Sequence, residues 1–340
     1  MTESANCNPV LATVVRGGEV ESVHRGSAVV ADARGDTVLA VGDITRAVFP
    51  RSSYKFIQAV PLVESGAADA FGLGSEEIAL ACASHNAEPV HMERVEKWLE
   101  RLGLSDDDLE CGPARPGHAA SADCLVLEGT PPGRRHNNCS GKHMGMLTLA
   151  RHLGAPTRGY SEYGHPTQRA WREVMENLTG LDIGLLAWER DGCGLPALCM
   201  PMDALARGFA RFAVCDGGTT PRSVAMDRVL RAVAGHPELV AGSGRCCTAV
   251  IRETHGRVLV KTGAEGMFSG VVPESGLGFV LKVDDGAWRG SEVALGGLLS
   301  ALGLLDDSEA EALQPWFRPD VVNSQGKVTG RIEAPERWSG

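Results

Sequence analysis

Strand-like segments stand at both ends of this 340-residue chain, and a long helical stretch separates them. This order constrains the fold more than any single motif, because strands from both ends must meet in one sheet around the helical insertion. Short β-branched runs at Pro9–Arg16, Glu19–His24, Ser27–Ala31 and Thr37–Val41 are separated by Gly and Asp turns, and the last two read as a hairpin. Apolar spacing then predicts helices over Ser53–Ser65, Glu88–Leu102, Lys142–Leu153, Pro166–Leu178, Met202–Val214 and Arg222–Ala234. Strands return at Thr248–Glu253, Val258–Lys261, Met267–Val272 and Gly278–Val283, followed by a helix over Ser291–Leu304 and a short tail. The expected fold class is α+β: an antiparallel sheet from N- and C-terminal strands flanked by helices, with a helical lobe. A single catalytic domain over 1–340 is expected, with a sheet lobe at about 1–50 and 245–340 and a helical lobe at about 51–244.

The 43% apolar content supplies a large core, and a net charge of -10 with no basic stripe argues against a nucleic-acid partner. No apolar run reaches the roughly 18 residues of a membrane span. The opening MTESANCNPV lacks the pattern of an export signal. The ten scattered cysteines therefore read as reduced thiols of a cytoplasmic protein, some of them available to a metal. Only six of the 33 basic residues are lysines: Lys55, Lys97, Lys142, Lys261, Lys282 and Lys327. A chain that uses Arg for plain positive charge draws attention to each Lys, which alone can lose its proton when buried and act as a base or ligand.

Three motifs follow in order: Ser52-Ser53-Tyr54-Lys55, Ser84-His85-Asn86 and Lys261-Thr262-Gly263. S-x-x-K, S-x-N and K-T-G occur together in serine β-lactamases and penicillin-binding proteins. At a helix start, residues three apart share a face, so Lys55 can reach the Ser52 hydroxyl. A desolvated Lys55 would take its proton as the serine attacks a carbonyl. Ser84 is a relay or a second nucleophile, and Lys261 its partner in a second Ser–Lys pair. Ser324-Gln325-Gly326-Lys327 also matches S-x-x-K, but it lies in a polar tail and reads as accidental.

A second cluster joins His136-Asn137-Asn138-Cys139-Ser140-Gly141-Lys142-His143 to Asp191-Gly192-Cys193-Gly194. Two thiolates from Gly-rich loops, with one further ligand, suit zinc. The bland reading makes Cys139 and Cys193 small buried hydrophobes. The adjacent Cys246-Cys247 chelates poorly and reads as strand packing, with a redox role as a remote alternative.

The blocks at 50–69, 81–86, 136–146, 191–196 and 261–266 resemble the Rhizobium etli type II L-asparaginase family, and the likeness spans most of the chain. The resemblance implies a fold similar to serine β-lactamases and glutaminases, hydrolysis of L-asparagine to L-aspartate and ammonia, and a homodimer. It places Ser–Lys pairs on Ser52 with Lys55 and Ser84 with Lys261, and one zinc per chain on Cys139, Lys142 and Cys193. The metal would shape the substrate pocket rather than perform chemistry. The site aspartate falls on Asp191, and Arg51 and His85 are candidates for the substrate carboxylate. Competing readings are a glutaminase, a β-lactam or peptide hydrolase on the same fold, and a non-catalytic zinc-binding regulatory protein.

Overall fold

The computed structural model describes residues 8–215 and 218–336. Contacts divide the chain into two units. One takes in the chain up to Ser53, Cys199–Val214 and the chain from Glu253; the other takes in Tyr54–Leu198 and Cys215–Arg252.

The first unit is built on an antiparallel sheet. Its strands are β1 (Val10–Arg16), β2 (Glu19–Asp32), β3 (Thr37–Val41), then β8 (Leu259–Gly263), β9 (Met267–Val272), β10 (Leu277–Val283), β11 (Asp320–Val322) and β12 (Val328–Glu333). They run in the order β11-β12-β1-β2-β10-β9-β8, with β3 beside β2. Strands from the two ends interleave at two joints: β1 pairs with β12, Val14 opposite Ile332, and β2 pairs with β10, Val29 opposite Val280. The helix Met202–Val214 packs on β2, β9 and β10, while Trp288–Ala301 packs on β1, β9, β10 and β12. Cover by helices explains the nearly continuous burial of β8, β9 and β10, whose sequences lack a polar alternate. The α+β antiparallel architecture follows the strand–helix–strand–helix order of the sequence.

Four local expectations differ from the structure. The two runs Glu19–His24 and Ser27–Ala31 are one strand, because Gly26 is no break. An added Cβ there would lie 2.2 Å from Lys282 O, so the glycine permits close strand approach. The segment read as a strand at Thr248–Glu253 is the helix Cys246–Glu253. Its β-branched residues resemble a strand, yet all six residues from Cys246 to Ile251 are buried in a helix, so the two cysteines pack in a helix. The helix Met202–Val214, placed by sequence in the helical lobe, packs on the sheet through residues such as Ala210, whose backbone N lies 2.1 Å from the Cβ that Gly278 lacks. Finally, the polar tail forms β11 and β12, and Ser324 and Lys327 sit exposed in their connecting turn.

The second unit is helical. Its centre is Lys55–Glu64, in which every residue from Lys55 to Val63 is buried. A helix apolar on all sides must be covered on all sides, and Ser140–His152, Pro166–Thr179 and Pro221–Gly235 pack against it. Pro166–Thr179 is entered through His165, whose ring accepts from Thr167 N–H, with Pro at the first turn, and it ends on left-handed Gly180. Two short strands, β5 (Trp188–Arg190) and β6 (Pro196–Leu198), form a hairpin in this unit. A further pair, β4 (Ala47–Val48) and β7 (Met200–Pro201), belongs to the first unit. Among the described residues no helix is long and apolar enough to cross a membrane.

Candidate active site

The expected site residues fall in both units. Arg51, Ser52 and Lys261 belong to the first; Lys55, Ser84, His85, Cys139, Lys142, Asp191 and Cys193 belong to the second.

In the sheet unit, Ser52 lies half-buried on a single 3₁₀ turn, Arg51–Tyr54, which leads directly into the helix begun by Lys55. The turn follows Pro50, whose carbonyl accepts from Ser53 N–H at 3.1 Å. Arg51 sits in the left-handed region at φ 55, rare for a residue with a Cβ. The glycine of Lys261-Thr262-Gly263 has a steric cause: an added Cβ would stand 2.4 Å from Pro50 O and 3.3 Å from Ser53 Cβ. Thus the serine turn and the K-T-G end of β8 are near neighbours within this unit. Ser269, opposite Lys261 in the ladder, donates to Ser53 Oγ at 2.9 Å. Lys261 is fully buried, and its amine donates to Thr262 O at 3.0 Å.

In the helical unit, the Lys55 amine is the centre of the arrangement. It donates to Ser84 Oγ at 3.0 Å, to Cys139 Sγ at 3.1 Å, and to Ala83 O. Burial pushes this amine below its ordinary pKa, against the nearby Cys139 thiol. Ser84 follows the helix Ser75–Ala81 and is fixed by Ser84 N–H donating to Val240 O at 2.9 Å. The next residue, His85, donates its N–H to Asn138 O, tying this strand-like loop to the loop that carries Cys139.

Both ring nitrogens of His85 are engaged. Ala87 N–H donates to Nδ1 at 3.1 Å, so the proton rests on Nε2, which donates to Ser140 Oγ at 2.8 Å. Burial, then the neighbouring His91, keeps the ring neutral. His91 stacks on His85 with centroids 5.0 Å apart.

Cys139 caps the helix Ser140–His152 and places Lys142 one turn on, where its amine donates to Cys193 Sγ at 3.1 Å. Cys139, Lys142 and Cys193 are all buried. The two sulfurs hydrogen-bond, which lowers Cys193 and raises Cys139 to about 12, with burial adding to the latter. The hydrogen bond between the sulfurs thus favours the thiolate form of Cys193 over that of Cys139. Burial opposes the Lys142 charge, but Cys193, Cys139 and Asp191 outweigh it and raise its pKa.

The β5–β6 hairpin delivers Cys193 and Asp191. Its turn closes through Asp191 N–H to Leu195 O and Gly194 N–H to Asp191 O, both 2.8 Å, with Gly194 at φ 90. Arg190 clamps the turn by donating to Gly194 O at 3.1 Å and to Glu162 Oε2 at 2.7 Å. Behind it, Trp188 stacks on Tyr163 at 4.2 Å, and the Arg172 guanidinium lies 3.5 Å from the same ring centroid.

Sequence reasoning passed over three side chains that support this assembly. The Tyr54 hydroxyl bonds to both sides of β6, donating to Pro196 O and accepting from Leu198 N–H. The Tyr160 hydroxyl joins His143 Nδ1 at 2.7 Å and accepts from Glu110 N–H at 2.7 Å. The third is Tyr163. These are the only three tyrosines of the chain, and that scarcity was the available signal.

Two sulfurs and an amine converge in this buried site, a donor set that fits a zinc ion once the Lys142 amine, whose proton the neighbouring sulfurs and Asp191 favour, is deprotonated. Among the described residues no cluster of three or more His, Cys, Asp or Glu suits a metal; the present set differs in using an amine.

A family model described as L-asparaginase II matches residues 12–334. A search of curated proteins finds no match. Among solved structures, the chain is similar to a beta-lactamase from Mycobacterium bovis, with a TM-score of 0.41 and 14% identity over 81% of this chain and 94% of that one. It is also similar to an octameric penicillin-binding protein homologue from Pyrococcus abyssi, with a TM-score of 0.34 and 12% identity over 86% and 75%.

Proposed function

The chain belongs to the L-asparaginase II family, and from that premise we propose how it carries out the amidohydrolysis of L-asparagine. Ser52 Oγ attacks the carbon of the side-chain amide while Lys55 Nζ takes its proton. The tetrahedral adduct collapses as the C–N bond breaks, and the nitrogen leaves as ammonia with the proton held by Lys55. Water then attacks the acyl-serine ester, Lys55 again receives the proton, and the ester bond breaks to release L-aspartate and restore Ser52. Backbone N–H groups hold the oxyanion in both steps. The observation that carries this reading is the buried Lys55 amine held on Ser84 Oγ. It supports a reading in which Lys55 is the base and Ser84 the hydroxyl through which its proton is relayed, with Lys261 as the second lysine.

The finer assignment within the family is to the Rhizobium etli type, supported by the Ser–Lys and Cys–Lys–Cys blocks. Cys139, Lys142 and Cys193 are assigned to one zinc ion per chain. When bound, zinc would supply a fixed positive charge that shapes the pocket for the amino acid's polar groups. Asp191 takes the substrate ammonium and Arg51 the carboxylate. His85 has both nitrogens committed, so its part is to hold the Ser140 hydroxyl beside Cys139. A homodimer in the cytoplasm completes the proposal.

The test is ammonia release from L-asparagine and L-glutamine by the wild type and a Ser52→Ala variant. Release from asparagine that disappears in the variant supports the assignment. A covalent adduct trapped on Ser84 would transfer the nucleophile to that residue.

A further inference from the structure

Besides Lys55, the helix Lys55–Glu64 buries one other polar side chain, Gln58. It is 4% exposed, and its Oε1 is buried with no hydrogen-bond partner. A carbonyl oxygen taken from water without a partner is costly, and native interiors seldom leave one so. Residues three apart on a helix share a face, so Gln58 stands one turn beyond Lys55 on the same side.

The helix Ser140–His152 packs on this face. At its start, Cys139 Sγ lies 3.1 Å from the Lys55 amine. An advance of three residues on each helix leads from that contact to Gln58 and Lys142. Both line one small cavity, whose remaining wall is apolar and includes Leu62, Ala81, Met146 and Leu149. Its volume is about 10 Å³, close to the space that a single water occupies.

A buried water needs at least two polar partners, and this wall supplies two of opposite kind. Lys142 is 3% exposed, and its amine donates to Cys193 Sγ at 3.1 Å. An ammonium carries three N–H groups and a neutral amine two. In either state the amine keeps a donor once the sulfur is bonded. Gln58 Oε1 is the acceptor that lacks a donor.

We propose that Gln58 is a positioning residue for Lys142: one water in this cavity accepts an N–H of the Lys142 amine and donates to Gln58 Oε1. Two bonds, one to Cys193 Sγ and one to the water, then fix a long flexible side chain and hold its nitrogen beside the sulfurs. Groups one bond behind a metal ligand orient it, and their loss weakens metal binding about 10–100-fold. That consequence rests on the proposed assignment of Cys139, Lys142 and Cys193 to zinc. The helix Lys55–Glu64 thereby serves the site twice, one turn apart: directly through Lys55, and through Gln58 by way of Lys142.

A crystal structure of the full chain tests the contact, and chelator competition for zinc tests its consequence. Electron density shows one water within hydrogen-bond distance of both Lys142 Nζ and Gln58 Oε1. Gln58→Met, which keeps the length and removes the acceptor, weakens zinc binding about 10–100-fold. Met146→Leu, which changes only the apolar wall of the same cavity, binds zinc like the wild type. In the cobalt-loaded protein, Gln58→Met keeps the thiolate-to-metal charge-transfer bands while the ligand-field bands, which also report the amine, move; general packing damage would disturb the thiolate bands as well. Wild-type zinc affinity in Gln58→Met, or equal weakening in both variants, would overturn the proposal, as would density that shows no water between the two side chains. A wild-type chain that binds no zinc yet shows the bridging water would sink the zinc assignment and leave the hold of Gln58 on Lys142 in place.

Discussion

The contact between the helix Ser75–Ala81 and the helix Ser140–His152 is set by one missing methyl group. Gly141 lies in the first turn of the second helix, between Cys139 and Lys142, and a Cβ added to it would stand 2.1 Å from Leu80 O and 2.8 Å from Leu80 C. Ordinary contact begins near 3.4 Å, so the two helices must separate by more than 1 Å to accept Gly141→Ala. Overpacking of this kind costs about 1–3 kcal/mol, and the helix-propensity gain of up to ~1 kcal/mol is smaller in a first turn. At roughly 2–4 °C per kcal/mol for a body of this size, Tm should fall by about 3–8 °C. The functional loss should be larger, because Leu80 leads through Ala83 to Ser84 while Gly141 adjoins Cys139, and Lys55 bridges the two at 3.0 and 3.1 Å. A displacement near 1 Å at reacting groups can cost about 100-fold. Gly145→Ala on the same helix is the control: its Cβ would meet Ala81 Cβ at 3.4 Å and Leu62 Cδ2 at 3.5 Å, ordinary distances. It should leave ammonia release unchanged and raise stability by up to ~1 kcal/mol. Calorimetric melting and initial rates on asparagine decide the matter. A Gly141→Ala protein that melts within a degree of wild type and turns over normally would refute the reasoning.

Three other perturbations have definite outcomes. Lys55→Met should lower kcat by about 10³-fold or more through loss of the general base, whereas Lys327→Ala, on the exposed turn of the look-alike motif, should leave turnover at the wild-type level. Trp188→Ala removes a stacked ring worth about 1 kcal/mol beyond its burial and loosens the hairpin that presents Cys193; zinc affinity by chelator competition should fall about tenfold, and Trp188→Phe should restore it. The Arg94 hydrogen bond holds Glu76 below its ordinary pKa, so its stabilisation is present above the unfolded value of about 4.3 and disappears as pH falls through the lower folded value. Because Glu76 is half exposed, Arg94→Ala should cost only about 0.5 kcal/mol at pH 7, and the two proteins should converge in urea stability near pH 3; a difference that persists there would show that packing, not charge, is lost.

What the sequence revealed depended on which forces act locally. Helices such as Glu88–Leu102 and Met202–Val214 were legible because their apolar spacing is set by the face they bury. The helix Cys246–Glu253 was not, since Thr, Val and Ile favour strands until neighbouring packing overrides that preference. The tail escaped because β12 is an edge-side strand with only Ile332 buried, and its pairing with β1 is invisible to any local pattern. At the site, motif spacing located Lys55, Ser84 and the two cysteines. It gave Lys55 to Ser52, whereas the hydrogen bonds that the helical unit shows for its amine reach Ala83, Ser84 and Cys139, residues 28 to 84 positions distant. The resemblance also offered His85 to the substrate carboxylate, and only three dimensions show that its nitrogens bond Ser140 Oγ and Ala87 N–H. The hairpin clamp of Arg190, Trp188, Tyr163 and Arg172 carries no periodicity at all.

The interleaving of β1 with β12 and of β2 with β10 has a consequence for synthesis. The hairpin of β1 and β2 is made before its partners β10 and β12, from which the inserted helical unit separates it. At about 5–20 residues per second, that hairpin waits some tens of seconds with the outer edge of β1 and the β10 side of β2 open, β3 covering only the other side of β2, while the inserted helical unit already has its own sequence available to collapse upon. Open edges are templates for other chains, so the nascent protein passes its most aggregation-prone interval before β8 emerges. A ribosome stalled anywhere in the helical insertion would hold it there, and chaperone demand should follow the pace of translation through that stretch more closely than the stability of the finished fold.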